Sequence, residues 1–201
     1  LKASIAFGSI GNIMDIHATL EKQGMLKGDV GNTLVDMYAK CGWLDMAEQV
    51  FDKIEVKDVV SWTIIISGYV KHELCHEAMD MFVRMHVEGM MPNHYTYNII
   101  LNACANIPCI EAGKRIHACL AQTLYPNCLF IGNALLDMYA KCGNLEIACR
   151  LFIHMPKRDL VSWNAMITAF AQYDNDDEVF KHYIEIDGDI SFVYTLKNDN
   201  L

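Results

Sequence analysis

Asparagine is a poor residue for the inside of a helix, because its amide competes for backbone hydrogen bonds. Yet Asn32, Asn98, Asn133 and Asn164 fall at one equivalent place in four stretches of this 201-residue chain, and Thr63 holds that place in a fifth. An amide donates and accepts together, so it can address an edge that offers both, a Watson–Crick edge among them. The alternative is an amide bonded to a neighbouring helix. A second set, Asp58, Asn93 and Asp159, directly precedes helical patterns. Aspartate and asparagine are preferred helix caps there, and sequence does not separate capping from ligand contact. A third row, Val60, Tyr95, Phe130 and Val161, lies three residues before each of the first-set positions it accompanies. On a helical stripe such residues read either as packing or as a surface for stacking.

These residues are carried by a repeat. Residues 30–42 and 131–143 share Gly-Asn-x-Leu-x-Asp-Met-Tyr-Ala-Lys-Cys-Gly at an offset of 101, and the match continues through Leu44, Ala47, Phe51, Asp58, Ser61, Trp62 and Ile66. A single globular core has no reason to reuse one register, whereas in a solenoid each unit meets nearly the same neighbours. Apolar spacing predicts helices over 10–23, 30–40, 44–54, 59–71, 74–86, 94–105, 109–123, 129–141, 145–154, 160–171 and 176–185. The connections are short, as expected for antiparallel helix pairs. Grouped in pairs, the chain reads as 1–27 (partial long repeat), 28–58 (short), 59–93 (standard), 94–128 (long), 129–159 (short), 160–185 (partial) and a divergent tail, 186–201.

Bulk composition bounds the function. Hydrophobic residues make up 53% and the net charge is −9, which counts against binding through a diffuse basic surface. Eight cysteines follow helical positions, without Cys-x-x-Cys or zinc spacing, and read as packed thiols. No run of eighteen apolar residues exists, so no membrane span is expected. The chain opens on Leu1 in mid-pattern, which reads as a fragment or a displaced start.

At this point the chain resembles the plant pentatricopeptide repeat family, in the subclass that alternates standard, long and short motifs. The residues carrying the likeness are the duplicated stretch and Asp-x-Val-Ser-Trp at 58–62 and 159–163. Glu-Ala-Met-Asp-Met-Phe-Val-Arg-Met-His-Val-Glu-Gly-Met-Met-Pro-Asn at 77–93, Leu-Asn-Ala-Cys-Ala at 101–105 and Ala-Gly-Lys-Arg-Ile-His-Ala at 112–118 extend it. A tetratricopeptide reading fits worse, since neither Trp62 nor Trp163 opens Trp-x-x-Leu-Gly-x-x-Tyr. The resemblance implies an all-α right-handed superhelical solenoid whose first helices line the concave face. It implies single-stranded RNA binding at about one base per repeat, read by the fifth residue of the first helix and the last residue of the motif. Carried over, Asn32 with Asp58 favours uracil, Thr63 with Asn93 adenine, and Asn133 with Asp159 uracil. Asn98 pairs with Cys128, a poor reader, and Asn164 has no placed partner. Family polarity then gives 5′-U-A-N-U-3′ followed by a pyrimidine. Second positions, Asp29, Val60, Tyr95, Phe130 and Val161, would flank the bases.

The likeness also implies a mitochondrial or chloroplast setting, with editing or processing factors supplied in trans. The family's deaminase domain needs His-x-Glu and paired Cys-x-x-Cys. His86-Val87-Glu88 fits the first of these, but no Cys-x-x-Cys stands in this sequence, so no catalysis, cofactor or metal is expected. Trp62 and Trp163 read as core, His17 and His117 as packed polar residues between units, and Lys40 and Lys141 as phosphate contacts or helix-dipole partners. Two other readings stay open: a protein-interaction scaffold, which the acidic charge favours, and a truncated product without function.

Overall fold

The computed structural model describes residues 2–107, 110–123 and 128–172. Among these it contains ten helices and no strand. The chain divides into two compact units, Leu1–Ile107 and Pro108–Leu201. The first holds α1 (Lys2–Lys22), α2 (Gly28–Lys40), α3 (Leu44–Lys53), α4 (Val59–Lys71), α5 (Cys75–Val87) and α6 (His94–Asn106). The second holds α7 (Ile110–Leu120), α8 (Leu129–Lys141), α9 (Leu145–His154) and α10 (Leu160–Gln172). The helix predicted over 176–185 and the divergent tail lie outside the described residues.

In the first unit α2 pairs with α3 and α4 with α5, while α2, α4 and α6 pack side by side. In the second, α8 pairs with α9 and packs beside α10. Within each unit the first helix of one pair therefore meets the first helix of the next. That contact is close: a Cβ on Gly68 of α4 would stand 2.8 Å from the Ala39 Cβ of α2.

The tight returns come from the helix ends. Gly42 and Gly143 take φ of +80° and +76°, where glycine has no Cβ penalty. The next residues, Trp43 and Asn144, donate their N–H back to the Tyr38 and Tyr139 carbonyls at 3.0 and 2.9 Å, closing a Schellman turn. After α4 the same place falls to Glu73, whose φ is +64°. Its neighbour Leu74 still donates to the Tyr69 carbonyl at 3.0 Å. A left-handed L-residue costs about 1–2 kcal/mol. Glu73→Gly should therefore raise stability by roughly 1 kcal/mol, read as a higher urea midpoint at unchanged m-value; an unchanged or lower midpoint would refute this assignment of strain.

Most of Asp-Met-Tyr-Ala-Lys-Cys-Gly is scaffold. Tyr38 is fully buried, and its hydroxyl meets His17 Nδ1 of α1 at 3.1 Å. Tyr139 repeats this with His117 of α7 at 3.0 Å. The histidines are 100 residues apart and the tyrosines 101, so the contact survives a one-residue difference in the linker. Burial lowers the pKa of both histidines, which favours neutral imidazoles packed between helices. Trp62 is 1% exposed and meets Phe51 edge-on with centroids 4.7 Å apart; Trp163 repeats the geometry on Phe152 but is half-buried.

Two expectations need correction. Cys75, Cys104 and Cys149 are buried, but Cys119 is exposed and Cys41, Cys128 and Cys142 are only half-buried, so not every described cysteine is a core residue. The fine helix bounds also move: α5 starts at Cys75 and α7 ends at Leu120, where local backbone bonds close a turn through Ala121, Gln122 and Thr123.

Candidate functional site

Asn133 is the fifth residue of α8, and Asp159 directly precedes α10. The structure joins them: Asn133 Nδ2 donates to Asp159 Oδ1 at 3.1 Å. A carboxylate only accepts, so the amide must turn its NH₂ toward it. The other end of that amide, Oδ1, is buried with no hydrogen-bond partner, and Asn32 Oδ1 of α2 is buried and unpartnered in the same way. An orphaned buried acceptor costs about 1–3 kcal/mol. The same feature recurs at an offset of 101, in both copies of the repeat.

Asp159 also caps α10. Its Oδ1 accepts the Ser162 N–H at 2.9 Å and the Ser162 hydroxyl at 3.1 Å. Asp58 does the same for α4, accepting Ser61 N–H at 2.8 Å and Ser61 Oγ at 2.9 Å, while its own N–H returns to Ser61 Oγ at 3.2 Å. Both carboxyls are held below the usual range, first by the serine backbone N–H, with the Asn32 or Asn133 amide adding to it. They are therefore ionised acceptors at neutral pH. Asn32 itself is 6% exposed, while Asp58 beside it is open to solvent. Capping and solvent exposure thus coexist in one side chain.

In the pair between them the link is indirect. Asn93 caps α6 by accepting Thr96 N–H at 3.0 Å and Thr96 Oγ1 at 3.1 Å. Thr63 of α4 donates its hydroxyl to the Val59 carbonyl at 2.6 Å and meets Thr96 Oγ1 at 2.8 Å. Thr96, fully buried, bridges the two residues expected to act together. Sequence reading named Ser61 and Ser162 only as repeated residues and gave neither them nor Thr96 a role at the site. The signal was present as Asp-x-x-Ser, Asn-x-x-Thr and Asp-x-x-Ser, an acceptor followed three residues on by a hydroxyl.

Asn98 is half-buried on α6, and Cys128 precedes α8 without a side-chain cap bond. Asn164 is exposed on α10, and any closing partner falls beyond the described residues. Val60, Tyr95, Phe130 and Val161 are 54, 58, 45 and 58% exposed, so they are surface residues rather than core. Lys40 and Lys141 pair with Asp36 and Asp137 one turn back. The described first helices α2, α4, α6, α8 and α10 hold Asp29, Asp36 and Asp137 against Lys40, Lys71 and Lys141, and the caps of α4 and α10 add the carboxylates of Asp58 and Asp159. Among the described residues no group of histidine, cysteine or carboxylate could hold a metal, and no helix is long and apolar enough to cross a membrane.

A family model described as PPR repeat family matches residues 57–106, and one described as PPR repeat matches 32–59, 133–160 and 161–189. A putative mitochondrial pentatricopeptide repeat-containing protein of Arabidopsis thaliana is 42% identical over 152 residues, 76% of this chain and 24% of that protein. A second mitochondrial one is 36% identical over 188 residues, 94% of this chain and 27% of that protein. The chain thus spans about a quarter of these relatives' length. Among solved structures, the maize pentatricopeptide repeat protein PPR10 superposes with a TM-score of 0.70 at 18% identity, over 87% of this chain and 26% of that one. PPR10 in complex with an 18-nt psaJ RNA element gives 0.63 over 87% and 27%. With its matched repeats lying on helix pairs that follow the fold of PPR10, the chain belongs to the pentatricopeptide repeat family.

Proposed function

We propose that the chain binds single-stranded RNA, about one base per repeat, with its N-terminal repeats toward the 5′ end. One observation carries the reading: in two copies, an asparagine amide lies against an ionised carboxylate that caps a helix and is open or partly open to solvent. Family membership and the RNA complex of PPR10 support it. The hydrogen-bond polarity agrees with the assigned bases. Asp58 and Asp159 are acceptors suited to the N3–H of uracil, with the amide beside them for a carbonyl. Thr63 commits its proton inward and offers an acceptor; Asn93 commits its oxygen to Thr96 and offers NH₂. Adenine and cytosine both present donor beside acceptor, and the family pattern selects adenine. The exposed Val60, Tyr95, Phe130 and Val161 supply flanking stacking surface. Asn98 contributes without a base assignment, and Asn164 takes a pyrimidine, giving 5′-U-A-N-U-3′ with a pyrimidine after it.

In this reading the repeats are 28–58, 59–93, 94–128 and 129–159, flanked by partial ones, in the alternating short, standard and long subclass. The setting is a mitochondrion or chloroplast, as in the relatives named mitochondrial. Editing or processing enzymes act in trans on the bound RNA. Fluorescence anisotropy at fixed, moderate salt tests the RNA-binding reading, because salt alone shifts such affinities. UANU-containing RNA should bind more tightly than its scrambled counterpart; equal affinity, or none for either, overturns the reading. Asn133→Ala should weaken preference at the second uracil alone by about two- to tenfold; an unchanged base profile would remove Asn133 from the reader set.

A further inference from the structure

We infer that Thr96 is a specificity-positioning residue which couples Thr63 and Asn93, so that their repeat reads its base cooperatively. The inference rests on the RNA-binding reading above. Thr96 is fully buried and touches no ligand itself. It belongs to the helix that follows the repeat whose readers it bridges. Thr63 donates its only hydroxyl proton to the Val59 carbonyl at 2.6 Å. The Thr96 hydroxyl then has one proton and two acceptors: Thr63 Oγ1 at 2.8 Å and Asn93 Oδ1 at 3.1 Å. One proton serves one of them at full strength, and the other keeps a free lone pair.

Base binding decides the contest. A base that donates to Thr63 takes one of that oxygen's two lone pairs, leaves it a poorer acceptor for a second donor, and shifts the Thr96 proton toward Asn93 Oδ1. With Thr96 N–H already on that oxygen at 3.0 Å, the amide is then pinned by two donors, with its NH₂ outward. Outward NH₂ is what the N1 acceptor of adenine needs. Guanine presents an acceptor and a donor in the opposite order, so it leaves the proton on Thr63 and meets NH₂ with its own N–H. In a buried network each bond strengthens its neighbour, so the two readings support each other. Ser61 and Ser162 pin Asp58 and Asp159 similarly, but each returns to its own cap residue's N–H, at 3.2 and 2.7 Å.

The experiment compares wild type, Thr96→Val and Thr96→Ser on UANU and UGNU RNA, with thermal melts alongside. Wild type should prefer adenine at the second position. Thr96→Val keeps the shape and the backbone N–H but loses the hydroxyl, and the adenine-to-guanine ratio should fall about two- to tenfold with the two uracil positions unchanged. Thr96→Ser should restore it. A Val variant with the wild-type ratio, or a ratio that drops in both variants in step with the melting temperature, overturns the positioning role. Absence of any RNA preference in wild type overturns the RNA reading instead, and this inference falls with it.

Discussion

Trp62→Ala should lower stability by about 3–5 kcal/mol, more than any substitution at the proposed base-reading positions. Trp62 heads the largest fully buried side chains of the described residues. It meets Phe51 of α3 edge-on, and Arg84 of α5 lies over both rings at 5.5 and 5.8 Å while reaching Asp52 at 2.8 Å. One side chain thus joins α3, α4 and α5, the second helix of one repeat and both helices of the next. Repeat proteins gain stability from just such neighbour interfaces. A loss of this size is a large share of a typical domain's 5–15 kcal/mol. Urea unfolding followed by circular dichroism should show the midpoint collapse, while Trp163→Ala, at a half-buried position, should cost less. Equal costs in the two copies would mean that burial in the described core does not set the difference.

Trp62 also shows what the sequence made legible. Helix periods, glycine ends and the 101-residue offset located the helix pairs, because those signals depend on local backbone preferences and repeated neighbours. The Asn–Asp spacing of 26 residues placed Asn133 against Asp159, since two helices and two short turns return the chain to its start. Exposure was harder to read. Tyr95 and Phe130 look like core residues by type, yet each faces solvent, because helical spacing gives a stripe without saying which side is covered. Glu73 in a glycine place left no local trace, since tertiary packing of α4 on α5 imposes its backbone. The hydroxyls of Ser61, Thr96 and Ser162 were visible but unremarkable until the cap geometry gave them partners.

Replacing Asp159 by asparagine should switch the second uracil toward cytosine without disturbing the helix. Asparagine caps about as well as aspartate, so the start of α10 keeps its acceptor. The Ser162 N–H, at 2.9 Å from Oδ1, and the Ser162 hydroxyl, at 3.1 Å, direct which end of the new amide turns inward. Both can donate, so the oxygen turns in and the NH₂ turns out. Where, in the proposed reading, the carboxylate accepts the uracil N3–H, a donor would stand, and it fits the unprotonated N3 of cytosine. A charged acceptor is lost and a mismatch created for one base, while a match is made for the other. The uracil-to-cytosine ratio should therefore fall by about tenfold or more, the range set by swapping a donor for an acceptor at a base edge. Asn133 keeps an acceptor in the inward amide oxygen, but a neutral one, so its hold on the amide is weaker. Anisotropy on UANU and UANC RNA measures the ratio, and the melting temperature reports the cap. A ratio that holds while the melting temperature drops would mean that Asp159 caps α10 and reads nothing.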